Sequence, residues 1–484
     1  MARKRRRGAS HVSGAAGDPQ DGAANAAARA ARAAADLLAD AAARATRYLE
    51  TLDARSVAPA PEAVARARAG LGGPLPEAPQ DPAAVIAKLD ALGSPATMGV
   101  AGGRFFGFVI GGALPATVAS SWLGTAWDQN ASLMATTPIA TVLEEIALEW
   151  LLDALALPAD AAGGFVTGAT MANFAGLAAG RHHLLARAGW DVEGQGLFGA
   201  PPLRVVVGEE AHSTLFAALS LVGFGRDRVV RVPVDGQGGM RADALPPLDP
   251  MTLVCIQAGN VNTGACDPAV DVCARARAAG AWVHVDGAFG LWAAAAPACA
   301  HLVRGVDGAD SWATDAHKWL NVPYDSGLVF CRHPAALRGA MSVTAAYLPV
   351  GAQREPCHYV PELSRRARGI DVWTALATLG REGLAAMIER TCRHARRFAD
   401  GLAGAGHEVL NDVVLNQVLV SFGPPDYTRA VIDGVQKDGT CWCGGTEWQG
   451  RTAMRISVSS WKTNDEDVEK SLAAILRVAA SVRG

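Results

Sequence analysis

Charge is scarce in this sequence, and aromatic residues are scarcer: 19% of the 484 residues are charged and 6% are aromatic. The two signs nearly cancel, with a formal net charge of −3, which removes the electrostatic case for nucleic acid or an anionic membrane as partner. No stretch reaches the roughly 18 continuous apolar residues of a membrane span. The start, Met1-Ala-Arg-Lys-Arg-Arg-Arg-Gly8, is basic, but no apolar run follows it, so it does not read as a secretory signal. The nine cysteines are irregularly spaced and include no CxxC pair. Cys441-Trp-Cys443 stands alone, which argues against a zinc site or any other metal centre. Scattered single cysteines fit a reducing compartment without a disulfide framework. On these absences the chain reads as soluble and cytoplasmic.

What is present is apolar and long. Half the residues are hydrophobic, enough for a sizeable core and for two or three domains. Residues 1–25 read as a disordered basic tail. Residues 26–100 read as a helical arm: an Ala/Arg/Leu helix, a proline-rich linker at Val57–Glu62, a helix from Pro61, and a third with Asp81 as N-cap and Pro82 at the first helical position. Residues 101–365 alternate continuous apolar strands with helices, the pattern of a mostly parallel α/β sheet covered on both faces. The strands fall near Gly164–Val166, Leu203–Val207, Met251–Ile256, Ala281–Val285, Ser311–Thr314 and Gly327–Cys331. Residues 366–484 read as a long helix, about Ile370–Leu402, followed by a small α+β domain. Its last helix opens on a capping box at Thr463-Asn-Asp-Glu466.

In such sheets ligands sit outside the carboxyl ends of the strands, and the polar residues fall there. Lys318 follows one strand in an otherwise apolar neighbourhood, beside Asp315 and His317. Desolvation would lower its pKa and make it a nucleophilic, Schiff-base amine; a snorkelling lysine is the plain alternative. Asp286 ends another strand, where a carboxylate needs a cationic partner or serves to cap a turn. Ala288, two residues on, leaves room for a flat ring. Thr167-Gly-Ala-Thr170 precedes a helix and suits either a phosphate or an ordinary cap, with Asn173 one turn further. His212 opens a helix after a third strand. Together these side chains match the needs of pyridoxal 5′-phosphate (PLP): an amine, a partner for the ring nitrogen, a phosphate cup and a stacking group.

At these residues the chain resembles the group II PLP-dependent decarboxylases of fold type I, which include the aromatic amino acid, histidine and glutamate decarboxylases, with sphingosine-phosphate lyase as a relative. The resemblance runs from about residue 80 to the C-terminus. It rests on Asp315-Ala-His-Lys-Trp-Leu320, His284-Val-Asp-Gly-Ala288, Glu210-Ala-His-Ser213, Thr167-Gly-Ala-Thr170, Phe105-Phe-Gly-Phe108 and Pro138–Trp150. It implies fold type I, PLP as cofactor, a homodimer in which the N-terminal helices wrap the partner, and decarboxylation of an L-amino acid to an amine and CO2.

It further implies that Lys318 carries the cofactor, Asp286 pairs with the pyridine nitrogen, His212 and Ala288 flank the ring, and Gly168, Ala169 and Thr170 hold the phosphate. Arg455 would meet a substrate carboxylate. Asp315 stands where many members have asparagine, as in the lyase branch. Gly259-Asn-Val-Asn-Thr-Gly264 replaces a threonine-rich turn, which gives Asn262 a cofactor role. The catalytic loop between Tyr347 and Pro361 is short, and Tyr359 is its candidate proton donor. A carbon–carbon lyase, an aminotransferase or aldehyde synthase, and a non-catalytic scaffold remain open alternatives. The substrate pocket is expected to draw on Phe105–Gly112, Trp127–Asn130, residues 345–360 and Trp442–Trp448.

Overall fold

A computed structural model describes residues 19–342 and 353–483. The expected basic tail lies outside these as far as residue 18, and so does Tyr347 in the loop. The chain divides into two units, Met1–Ala54 with Pro59–Thr97 and Arg55–Ala58 with Met98–Gly484.

The first unit is helical: α1 (Pro19–Thr51), α2 (Pro61–Leu71) and α3 (Pro82–Gly93). Alanine and leucine carry α1 by intrinsic propensity. Asp81 caps α3 as its sequence suggests, accepting from the Ala83 and Ala84 amides at 3.3 Å each. Arg44 of α1 reaches Asp40 at 2.8 Å and Asp90 of α3 at 3.1 Å, which ties the two helices together.

The second unit begins with α4 (Pro115–Trp127) and α5 (Pro138–Ala154). The alternating region follows: β1 (Ala162–Val166), α6 (Ala169–Arg187), the single turn α7 (Val192–Gln195), β2 (Arg204–Gly208), α8 (Ser213–Val222), β3 (Val230–Val232), β4 (Thr252–Gln257), α9 (Ala269–Ala279), β5 (Trp282–Asp286), β6 (Ser311–Asp315), β7 (Gly327–Cys331) and α10 (Pro334–Met341). These strands form one sheet in the order β1-β7-β6-β5-β4-β2-β3, in which only β7 runs antiparallel to its neighbours. Central strands such as β4 are buried throughout because helices cover both faces. The pleat sorts their side chains: Val205, Val207, Leu253 and Cys255 pack toward α6 and α8, while Val206, Val254 and Ile256 join α9 and the helix beyond.

That helix, α11 (Gly369–Gly404), is not the single rod its sequence suggests, because Gly380 breaks it with φ 59° and ψ −175°. After it come β8 (Glu408–Val409), β9 (Gln417–Ser421), α12 (Pro425–Asp438), β10 (Gly444–Trp448), β11 (Arg451–Ser457) and α13 (Asp465–Arg483). The small antiparallel sheet runs β10-β11-β9-β8; the two-residue β8 is too short to carry a sequence signal. The capping box of α13 sits one residue later than expected. Asn464 and Asp467 exchange bonds at 2.9 and 3.2 Å, and the Thr463 hydroxyl donates instead to the Gly103 carbonyl at 2.8 Å.

Among the described residues, no helix is long and apolar enough to cross a membrane. All nine cysteines are free thiols.

Candidate active site

The parallel strands deliver their polar residues to one side, at the carboxyl ends of β1, β2, β4, β5 and β6. Lys318 lies in the turn after β6. It is not stranded among apolar groups, as the sequence suggests: its Nζ is 2.9 Å from Oδ2 of Asp315, three residues earlier. The other oxygen of that carboxylate accepts the Ala169 amide at 2.6 Å, at the first turn of α6. One carboxylate therefore links Lys318 to the helix N-terminus that the sequence suggests as a phosphate cup. Glycine lets these pieces approach. A Cβ on Gly327 would sit 2.4 Å from the Gly168 Cα, and one on Gly111 would sit 1.8 Å from the Lys318 carbonyl oxygen.

His317 is buried, and its Nδ1 accepts the Ser326 amide at 3.1 Å. Burial holds its pKa below the usual histidine value, so the ring is neutral with its proton on Nε2. Its ring lies against Tyr324, with centroids 4.2 Å apart.

Asp286 is buried at the end of β5. Its Oδ2 accepts from Asn173 Nδ2 at 3.2 Å, and its Oδ1 from the Ala288 amide at 3.2 Å. Asn173 is thus brought to Asp286 and not to the helix terminus. The Ala288 carbonyl accepts the Asp315 amide at 2.9 Å, which pins the turn after β5 to β6.

His212 caps α8: its Nδ1 meets the Thr214 hydroxyl at 2.7 Å and the Thr214 amide at 3.3 Å. Desolvation lowers its pKa, opposed by the charge of Asp286, and the ring proton sits on Nε2.

His212 and Lys318 line one cavity of about 710 Å³. Phe108, Val109, Ile110 and Trp448 supply its apolar wall, and Asn262, Glu210, Tyr324 and Arg455 its polar one. Arg455 donates to the Val261 carbonyl at 3.2 Å, and no carboxylate pairs with it among the described residues. Burial lowers its pKa, so its charge is poorly compensated there. Asn262 accepts from the Thr446 hydroxyl at 3.2 Å, which joins the β4 turn to β10.

Two of the expected contributors lie away from this cavity. Tyr359 does not line this cavity; its ring lies under the Arg354 guanidinium at 3.9 Å, and its backbone abuts Gly164 of β1. Trp127–Asn130 do not line it either; Asp128, Gln129 and Asn130 border a separate cavity with Ser364–Ala367.

Sequence reasoning missed Glu210 as an organiser. Its carboxylate accepts from Trp448 Nε1 at 2.9 Å, Asn260 Nδ2 at 3.1 Å and Gln449 Nε2 at 2.9 Å, and so fastens the β10–β11 hairpin over the cavity. Its place two residues before His212 was the available signal. Tyr324, six residues past Lys318, was missed too. Burial pushes its phenol up to about 12, so it is protonated at neutral pH.

The donor set fits PLP. The amine of Lys318 and the neutral imidazole of His212 border the cavity; Asp315 links that amine to the glycine-walled α6 N-terminus, and the buried Asp286 carboxylate is near enough for its charge to act on His212, although neither Asp286 nor Gly168–Thr170 lines the cavity itself. A phosphate would have to share that terminus with Asp315, whose carboxylate already accepts the Ala169 amide.

Residues 97–423 match the conserved domain of pyridoxal-dependent decarboxylases. The chain is 28% identical over 399 residues to tryptophan decarboxylase 1 of Oryza sativa subsp. japonica, across 74% of this chain and 76% of that one. It is 26% identical over 392 residues to 4-hydroxyphenylacetaldehyde synthase of Rhodiola rosea, across 75% and 76% of the two chains. The crystal structure of Oryza sativa TDC with PLP and tryptamine has a TM-score of 0.85 and 22% identity, covering 93% of this chain and 98% of that one. At that identity the likeness is one of fold, and it matches the fold type I expectation.

Proposed function

This chain belongs to the pyridoxal-dependent decarboxylase family and is a PLP-dependent decarboxylase of amino acids; from that footing we propose the roles of its site residues and its substrate class. Lys318 would hold the cofactor's aldehyde carbon. Gly168, Ala169 and Thr170 would hold its phosphate at the α6 N-terminus, beside Asp315 and His317. Asp286 would face the ring nitrogen, with Asn173 behind it. His212 and Ala288 would bound the ring, and Asn262 its rim. When bound, the cofactor supplies the electron sink that accepts the pair left behind as CO2 departs.

The remaining work belongs to the chain. Arg455 binds an anionic group of the substrate, because its half-buried guanidinium meets a backbone carbonyl and no carboxylate among the described residues. Phe108, Val109, Ile110 and Trp448 take the side chain and exclude water. His212 offers a proton at Nε2. The substrate read from this wall is an L-amino acid with a large apolar or aromatic side chain.

The single observation that carries the reading is that Lys318, His212 and Arg455, from three separate parts of the chain, border one cavity. A homodimer is supported by Trp122, Leu123 and Trp127, which stand exposed on α4. A cytoplasmic setting is supported by the nine free thiols.

The test is CO2 release from each of the twenty L-amino acids by the PLP-loaded protein, with the product identified. Release of CO2 with the matching amine, lost in Lys318→Ala, is the expected result. Turnover retained in Lys318→Ala would remove the role of that lysine. Aldehyde with hydrogen peroxide in place of amine would replace the amine-forming reading by an oxidative one.

A further inference from the structure

Behind Asp286 lies a line of buried polar side chains that the proposed chemistry does not use. Asn173 donates to Asp286 through Nδ2 at 3.2 Å, and its Oδ1 lies 2.9 Å from His284 Nε2. His284 Nδ1 lies 2.8 Å from the Ser311 hydroxyl, and that oxygen accepts Trp282 Nε1–H at 3.0 Å. Every member is buried, with 0% exposure for Asn173, His284 and Ser311 and 1% for Trp282.

The chemistry of the two ends fixes the direction of each bond. Indole N–H can only donate, and an ionised carboxylate can only accept. Asp286 therefore accepts from the Asn173 amide nitrogen, which turns Asn173 Oδ1 toward His284 and places the imidazole proton on Nε2. His284 Nδ1 is then left to accept from the Ser311 hydroxyl, which itself accepts from Trp282. The Gly176 carbonyl, at 3.5 Å, is the longer competing acceptor for that hydroxyl. Burial pushes the His284 pKa down to about 3, so the ring is neutral, with one nitrogen free to accept as this arrangement requires. The backbone makes room for it. A Cβ on Gly176 of α6 would come within 2.7 Å of His284 Cε1 and 2.8 Å of its Nδ1.

We propose that Trp282, Ser311, His284 and Asn173 form a one-directional hydrogen-bond relay that positions the Asp286 carboxylate for the cofactor's ring nitrogen. A proton on Oδ2 would confront the Asn173 amide hydrogens, donor against donor, so the relay presents Asp286 as an acceptor toward the cavity. These are positioning residues, acting through Asp286 from within the sheet and α6. The titratable groups around Asp286 are His212, with Lys318, Arg455 and Asp315 near that imidazole, and Cys255 of β4. None of them belongs to the relay, and His284 is its only titratable member. The proposal rests on the reading of Asp286 as the ring-nitrogen partner.

The test uses the full-length protein with PLP, in Asn173→Leu, Ser311→Ala and Gly176→Ala, beside Asp286→Asn as reference. Gly176→Ala removes no polar group and acts only by displacing the His284 ring. Two readouts are taken in the absence of substrate: the PLP dissociation constant, and the pH dependence of the visible absorbance of the protein–PLP complex. Asp286→Asn and Asn173→Leu are each expected to weaken PLP roughly ten-fold or more, the scale of losing one charge-assisted hydrogen bond. They are also expected to shift the absorbance profile in the same direction, with Ser311→Ala and Gly176→Ala smaller and of the same sign. If Asp286→Asn moves both readouts while folded Asn173→Leu, Ser311→Ala and Gly176→Ala leave them at wild-type values, the relay is overturned and the role of Asp286 stands. If Asp286→Asn itself moves neither, the reading of Asp286 fails, and the relay with it. Should Asn173→Leu not fold, the milder Ser311→Ala and Gly176→Ala decide the matter by the same readouts.

Discussion

Asp315 holds Lys318 with one carboxylate oxygen, at 2.9 Å, and the Ala169 amide with the other, at 2.6 Å. The residue that neutralises the lysine thus also occupies the helix terminus proposed for the cofactor phosphate. Asp315→Asn keeps an oxygen for the amide and removes the negative charge. The phosphate would then sit without a like charge beside it, and PLP affinity is expected to rise by about three- to ten-fold, the scale of a partly screened charge pair. Equilibrium titration of the apoprotein with PLP measures this. A weaker dissociation constant would mean that the hold of Asp315 on Lys318 matters more to binding than the repulsion.

Arg455 is the cavity cation without a carboxylate partner among the described residues. Arg455→Leu removes its charge and keeps much of its bulk. The substrate KM is expected to rise roughly ten- to hundred-fold, matching the loss of one hydrogen bond to a charged group, with thermal stability unchanged or higher. Steady-state kinetics beside a melting curve check this. An unaltered KM would return Arg455 to a purely structural part.

Glu144 of α5 and Arg365, ahead of α11, form a two-pronged pair at 2.8 and 2.9 Å with both side chains 1% exposed. Glu144→Gln leaves a guanidinium buried without its counter-charge and is expected to cost about 3–5 kcal/mol. Replacing both, as Glu144→Leu with Arg365→Met, should recover part of the loss, because the Arg365 charge is then gone, while Arg354 still loses the compensating charge of Glu144. Denaturant unfolding of the three proteins measures it, and an additive double variant would show that the two residues act separately.

His284 makes acid stability a readout of the core. An unfolded histidine titrates near ~6.5, and burial pushes the folded value down to about 3. Between those values the unfolded chain binds a proton that the native protein refuses, so native stability falls as pH drops through this window. The contribution is fully retained above the unfolded value. At pH 5 the loss from this residue is about 2 kcal/mol relative to pH 7. His284→Gln is expected to be less stable at pH 7 and to show a flatter stability profile between pH 7 and 5. Denaturant midpoints at the two pH values check the slope, and an equal slope in the variant would assign the acid sensitivity to other groups.

Much of this site is legible in the amino-acid sequence. Apolar strands alternating with helices specify a covered parallel sheet, since only a strand buried on both faces can be apolar throughout, as β4 is. Lys318, Asp286 and His212 follow such strands, and the rule that strand ends carry ligands places them on one side. The Asp81 cap and the Pro82 start depend on bonds within a few residues, so they too are local.

The partnerships are not local. The packing of α6 on the sheet decides that Asn173 and His284, far apart in the chain, meet behind Asp286, and the packing of α5 against the segment ahead of α11 decides that Glu144 finds Arg365. Tyr359 lies against β1, with its ring under Arg354 and outside the cavity that Lys318 lines. The sequence by itself determined which elements form and which chemical groups stand at their ends, because propensity and periodicity act over single turns and strands. Only the tertiary structure decided which groups touch, because hydrogen-bond partners in a buried site are set by the packing of elements that the chain joins in a different order.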